Sequence, residues 1–372
     1  MLAEAAGTRG SGRSHPRQAI PPVARTRQRP GATRLWRRSR WSARSRARPA
    51  GQVVRGGPVV TNGARQMRVM LTGAGGMLAK SIAAAWPADS PDELVPVSRR
   101  DADLREQDQV RALFARVEPD LVIHAAAKVG GIAANVADPS GFLMDNLRMD
   151  ANVLDASLQS GVTRFLYFGS SCMYPRDYRQ PLVEQDVLAA PLEPTNEGYA
   201  LAKITSARFC EYVSQQFGHA YRVVIPSNLY GPNDDYSLGH GHLVAATIAK
   251  AHAAKTSGAA TIDVWGDGSA RREFTYVEDL AGWVVEHLPT MAQWPVLMNV
   301  GKGEDHSVLD YYRAALRTVG YECELVPDPS KPAGMHQKLM DSTLARSYGW
   351  TPGTSLDDGM RTAYARYLDT LS

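Results

Sequence analysis

The chain has 372 residues, 42 basic and 38 acidic side chains and a formal charge of +4, an average that conceals two unlike parts. Residues 1 to 66 hold fifteen arginines, no lysine and one acid, Glu4, a net +14, while the remainder carries −10, so the whole-chain charge describes neither part. Apolar residues make up 44 %, no apolar run approaches the roughly 18 residues a membrane helix needs, and the three cysteines lie far apart without metal-finger spacing, which excludes a disulfide framework or zinc finger and suits a reducing cytoplasm.

In chain order, residues 1 to 66 come first. They are Arg, Pro, Gly, Ala and Ser, with basic runs such as 34–50 and no regular apolar period; such a segment cannot bury enough surface to offset ordering, and disorder is expected. An organelle leader, a basic arm for nucleic acid or acidic surfaces, and sequence upstream of a start at Met67 would all look like this. The last is favoured, because Met67 opens directly onto a strand pattern and arginine without lysine reads as compositional bias. Nucleic acid is therefore not an expected partner.

From residue 67 apolar runs alternate with helical stretches. Strands are predicted at 68–72, 93–97, 120–127, 164–171 and 221–226, with helices from the glycine turn to Trp86 and over 109–117, 141–160 and 199–217. Short strands separated by helices of ten or more residues predict a doubly wound parallel α/β sheet of Rossmann type, whose crevice opens at the carboxyl ends of the strands. The regularity weakens after 227. A loop at 231–241, a helix at 242–254, a strand, turn and strand within 261–281, an apolar strand end at 299–303, a helix at 308–319, a loop at 329–341 and a terminal helix predict a smaller α/β substrate lobe. The division is therefore a Rossmann-type domain over 67–227 and a smaller substrate lobe over 228–372, with sheet and helices partly shared.

Three features carry chemistry. The sequence TGAGGMLAK places Gly73, Gly76 and Ala79 in a strand-turn-helix, where glycine permits close approach to a pyrophosphate and the helix N-terminus faces its charge. The second strand ends in Ser98, Arg99 and Arg100 with no carboxylate; arginines suit a ribose 2′-phosphate, so NADP(H) is preferred over NAD, although solvated surface arginines would read the same. Tyr199 and Lys203, four apart on a helix, share one face; an ammonium near the phenol is expected to bring its pKa toward neutrality, and Ser170 at a strand end can hold a substrate carbonyl. Nothing in the sequence calls for a metal.

The order TGAGGMLA, AAKVGGI, GSSCMYP, EPTNEGYALAK, PSNLYGPND, VWGDGSARREF and SKPAGMHQKLMD resembles the extended short-chain dehydrogenase/reductases and, within them, the GDP-L-fucose synthase family. The resemblance runs through most of 67–372 and touches none of 1–66. It implies NADPH-dependent 3,5-epimerisation and 4-reduction of a GDP-4-keto-6-deoxy sugar by a homodimer. Cys172 and His242 match the family's acid/base pair, and Tyr199, Lys203 and Ser170 its reducing triad. The cofactor contacts are expected at Gly73, Gly76, Met77, Arg99, Arg100, Ala125, Ala126, Lys203, Pro226, Asn228 and Leu229. Lys250, Trp265, Arg272 and Lys338 fall where the family binds the guanosine diphosphate. The cofactor turn thus makes 67–227 the NADP-binding domain, and the resemblance makes 228–372 the nucleotide-sugar lobe. Departures are Ala79 for a third glycine, Ser227 for threonine, Lys250 for arginine and an extra His240. Other nucleotide-sugar epimerases, dehydratases or 4-reductases of the same fold, and a non-catalytic NADP-binding sensor, are the alternatives.

Overall fold

The first strand, β1 (Arg68–Thr72), is apolar through its middle because both of its faces are covered: Val69 and Leu71 look to one side and Met70 to the other, all fully buried. The structure, a computed structural model, describes residues 66–237, 241–331 and 334–371. The expectations for a disordered leader over 1–66 fall, but for residue 66, outside them.

After β1 come α1 (Met77–Ala85), β2 (Glu93–Val97), α2 (Gln107–Val117), β3 (Leu121–His124), α3 (Ile132–Ala137), α4 (Pro139–Gln159), β4 (Arg164–Phe168), α5 (Glu197–Phe217) and β5 (Ala220–Pro226). The second stretch adds β6 (Asn228–Tyr230), α6 (Leu243–Ser257), β7 (Thr261–Trp265), β8 (Arg271–Arg272), β9 (Phe274–Tyr276), α7 (Val277–His287), β10 (Leu297–Val300), β11 (His306–Ser307), α8 (Val308–Val319), β12 (Glu324–Asp328), β13 (Gln337–Lys338), α9 (Thr343–Arg346) and α10 (Leu356–Asp369).

The central sheet has the order β10-β5-β4-β3-β1-β2, with every pairing parallel. The strand order reverses between β1 and β3, where Thr72 pairs with His124, so the crevice expected of such a sheet lies at that switch point. One apolar cluster packs α2, α4 and α5 on one face, and a second packs α1 and α7 on the other. A third lies under α6, α8 and α10. Beside the sheet stand three small ones, β6-β9, β7-β12 and β11-β8-β13.

The differences from expectation are local and have causes. Strands β3 and β4 stop at His124 and Phe168, short of 127 and 171, because the chain leaves the sheet there to form the crevice wall. Helix α4 begins at Pro139 rather than 141, since Asp138 caps it by accepting the Gly141 N–H at 2.9 Å. The span 261–281 holds three strands and the first turn of α7 instead of two strands and a turn.

Candidate active site

The glycine turn is dictated by its neighbours. Gly73 has φ +77°, and a Cβ there would stand 2.7 Å from the Ala126 nitrogen; only glycine fits both the angle and the approach. Ala74 donates to the Val97 carbonyl at 3.0 Å, tying the turn to β2. Around Gly75 a Cβ would meet nothing within 4 Å, and Gly76 precedes α1 with no side chain capping the helix. The result is open space in front of uncapped N–H groups, with Met77 in the first turn and Ala79 buried beneath. A pyrophosphate fits this cradle, where the partial positive charge of the helix end favours it. Arg99 and Arg100 form the exposed turn at the carboxyl end of β2. Ala125 and Ala126 line the β3 end; Pro226 closes β5, and Asn228 and Leu229 follow in β6.

The chain after β4 makes one turn of helix at Ser171–Met173, whose cap is Ser170: its Oγ accepts the Cys172 N–H at 3.2 Å. That turn sets Cys172 half-buried at the crevice. Its sulfur accepts from Asn196 Nδ2 at 3.2 Å, and Lys338 Nζ lies 3.8 Å away. Lys338, assigned by the resemblance to the diphosphate end, thus stands against the thiol. It reaches it through β13, which pairs with β8 at Lys338↔Arg272. Asn196 Oδ1 is buried and has no hydrogen-bond partner among the described residues. Neither Asn196 nor the tether that brings Lys338 across 166 residues could be anticipated from sequence.

Tyr199 and Lys203 project from α5 toward the same place. The structure corrects the expectation for the phenol. Burial pushes Tyr199 well above its ordinary pKa, Cys172 and Asp150 raise it further, and only a hydrogen bond with Ser170 opposes them. Lys203 Nζ is 5.9 Å from the Tyr199 ring centre, so its charge does not overcome desolvation, and Tyr199 stays a neutral acid. Lys203, 2 % exposed, donates to the Phe168 carbonyl at 3.0 Å.

His242 precedes α6, with Nδ1 3.8 Å from Asp234 Oδ1. Burial lowers its pKa, but Asp234, with the charge of Asp235 adding, outweighs this and leaves it raised. Residues 238–240, including the extra His240, lie outside the described residues. On the sugar side Trp265 ends β7 and is 38 % exposed, free to stack. Arg272 is held among Glu193, Cys172 and Tyr311, close to the thiol. Lys250 Nζ donates to the Asp263 carbonyl at 2.9 Å and to the Tyr312 hydroxyl at 3.0 Å, bracing α6 against β7 and α8 and leaving one N–H for a ligand.

A parallel sheet with a glycine turn at its switch point and a Tyr-Lys pair at the neighbouring strand end defines a dinucleotide-dependent enzyme class. The profile of the NAD dependent epimerase/dehydratase family matches residues 69–301, and the chain belongs to that family. A GDP-L-fucose synthase of Azorhizobium caulinodans is 42 % identical over 301 residues, covering 81 % of this chain and 96 % of the relative. A GDP-L-colitose synthase of Yersinia pseudotuberculosis is 40 % identical over 304 residues, 82 % of this chain and 98 % of that one. Among solved structures, a GDP-6-OMe-4-keto-L-xylo-heptose reductase from C. jejuni superposes with a TM-score of 0.76 at 26 % identity, covering 82 % of this chain and 98 % of the other.

Proposed function

We propose that the protein is an NADPH-dependent epimerase/reductase that converts GDP-4-keto-6-deoxy-D-mannose to GDP-L-fucose or a close relative. The observation that carries this reading is the meeting of an acid/base thiol, Cys172, with the Ser170-Tyr199 pair beside a dinucleotide cradle. A reductase without epimerisation has no use for a thiol flanked by an ammonium and an amide N–H.

A ketone at C4 makes the hydrogens on its neighbouring carbons acidic, and inverting such a centre needs a proton removed on one face and returned on the other. Cys172 takes the proton, and the electron pair moves onto the C4 oxygen, where Ser170 holds the resulting enolate. Lys338 and Asn196 face the sulfur during this step. His242, whose pKa Asp234 raises, returns a proton. The chemistry that NADPH supplies when bound is hydride delivery to C4. Tyr199 then gives its phenolic proton to the C4 oxygen, which is why a neutral Tyr199 suits this direction. Asn196 Oδ1 is an acceptor for a sugar hydroxyl, Trp265 packs against a flat or sugar face, and Arg272 serves the diphosphate.

The fucose and colitose relatives resemble the chain almost equally, so the reading extends to a stereochemical variant of the sugar. Free Cys172 suits the cytoplasm. A homodimer is proposed with it, supported by exposed Met144 on α4 and Leu201 and Tyr212 on α5; light scattering at the native concentration reads it directly. Incubation with the GDP-keto-sugar and NADPH, followed by NMR of the product, tests the function. Absence of NADPH oxidation with every GDP-4-keto sugar tried leaves a cofactor-binding sensor instead.

A further inference from the structure

We infer that Asp150 is a positioning residue for the reduction step, the buried counter-ion that keeps Lys203 charged beside Tyr199. The inference rests on the proposed role of Tyr199 and on the Tyr-Lys pairing that the resemblance implies, but concerns a residue neither includes.

Lys203 sits in a dry interior, where an isolated ammonium costs several kcal/mol. Its nearest partners, the Phe168 carbonyl at 3.0 Å and the Tyr167 ring centre at 4.5 Å, are neutral. Of the groups that face it, Tyr167 from β4 and Cys210 and Tyr199 from α5 are all pushed up by burial and hold their protons. Asp150, on α4, supplies the negative charge: it holds the hydroxyl end of the Tyr167 ring that Lys203 covers and bonds Ser206 one turn along α5 from Lys203. Burial leaves the Lys203 pKa lowered, and Asp150 opposes that shift.

The carboxylate is built to stay ionised. Asp150 is fully buried, yet it accepts from three donors: His124 Nε2 at 3.0 Å, Ser206 Oγ at 2.8 Å and the Tyr167 hydroxyl in a short bond. Burial would raise its pKa, but Lys203, His124 and Tyr167 outweigh it and hold the group below its ordinary value. His124 therefore donates from Nε2, its Nδ1 lies 2.7 Å from Thr72 Oγ1, and the same hydroxyl accepts the Ala126 N–H at 3.4 Å. Thr72 precedes Gly73, and Ala126 is the residue Gly73 packs against. One hydrogen-bonded chain thus runs from the cofactor turn to Asp150 and the Tyr167 hydroxyl, whose ring lies under Lys203.

Asp150→Asn keeps the volume, and the amide can still bond Tyr167 and Ser206 while His124 takes its other tautomer. With the charge gone, Lys203 loses its proton at lower pH. The alkaline limb of kcat for ketone reduction should move acidward by about one pH unit, lowering kcat by up to roughly tenfold at pH above the limb. KM for the keto-sugar should stay within about twofold, since Asp150 does not touch substrate. NADPH affinity, read by cofactor fluorescence, should weaken over the same pH range. Asp150→Glu, which restores the charge, should keep the limb in place even if kcat falls. An Asp150→Asn enzyme with reduced kcat and an unmoved limb overturns the inference in favour of simple packing. If Asp150→Asn does not fold, an acidward limb in Asp150→Glu does the same, and an unmoved limb with lowered kcat supports the counter-ion role. Retention of reduction by Lys203→Met would instead defeat the underlying assignment of the Tyr-Lys pair.

Discussion

The two walls of the crevice differ in how their residues are held. The cofactor wall is the ends of β1, β3, β4 and β5, strands of four to seven residues gripped on both faces by the core. The sugar wall rests on β8, β11 and β13, two residues each, placed by polar tethers. Leu182 and residues 339 and 341 exchange backbone hydrogen bonds at 2.8 Å. Glu273 accepts from Gly303 at 2.7 Å and Met340 at 2.9 Å, tying the wall to the strand ends. A wall fixed by packing tolerates little change, whereas one fixed by a few hydrogen bonds can be re-tethered. That contrast suits a family whose relatives are named for different GDP-sugars.

The largest effects should separate the two half-reactions. Tyr199→Phe deletes the proton donor and is expected to lower ketone reduction by roughly 10³-fold, within the range for a general acid, while deuterium exchange from solvent into C3 and C5 continues. Cys172→Ser should do the reverse: exchange falls by about 10²-fold or more, and some unepimerised ketone is still reduced. Should Cys172→Ser exchange deuterium at the normal rate, the thiol is not the base.

Lys338 tests where the boundary between the walls lies. With Nζ 3.8 Å from the sulfur, Lys338→Met is expected to slow exchange by roughly 10- to 100-fold, the scale of one charge-assisted contact. If Lys338 served only the diphosphate, KM for the GDP-sugar would rise and exchange at saturation would not change. Steady-state exchange kinetics distinguish the two.

The same contrast governs what the sequence discloses. Strands β1 and β2 and helix α8 lie where the sequence puts them, the strands because apolar runs and turns are local signals. For α8 the signal is Ser307, which accepts from Asp310 N at 3.1 Å, with Gly320 at the end. The glycine turn and the Tyr-Lys spacing are local in the same sense. Strands of two residues carry no period, and Lys338 beside Cys172 is a fact of tertiary pairing alone. Asp150 was legible in part: α4 buries Asn146, Asp150 and Ser157 on its inner face, a polar stripe where helical periodicity leads one to expect core. Polar residues at core positions of a helix imply partners, and that was the available signal.

On the cofactor wall, replacing Arg99 and Arg100 together by alanine should weaken NADPH binding by about tenfold, each tenfold being near 1.4 kcal/mol, and leave NADH binding nearly unchanged. Both side chains are exposed, so the loss should shrink as salt is raised. Equal weakening for the two cofactors would assign the arginines to general electrostatics instead of a 2′-phosphate. Thermal stability should not move.

The smallest expected effect is on the sugar wall and depends on pH. His242 has a raised pKa because Asp234 and Asp235 outweigh its desolvation, so its protonated form persists to higher pH than an ordinary histidine's. A step in which His242 donates a proton is at full rate below that pKa and is lost as pH rises through it. Asp234→Asn removes the nearer charge and leaves Asp235, so the alkaline limb of C3/C5 exchange should move toward lower pH. The His242 side chain is 36 % exposed and its nitrogen 3.8 Å from the carboxylate. Solvent screens such a pair, and the shift should amount to a few tenths of a unit, about a twofold loss of exchange just above neutrality. Reduction catalysed by Tyr199 should keep its own profile. If both limbs moved together, Asp234 would be acting on the shape of the wall, not on the charge of His242, and the tether from the loop before α6 would have to be counted with those from Glu273.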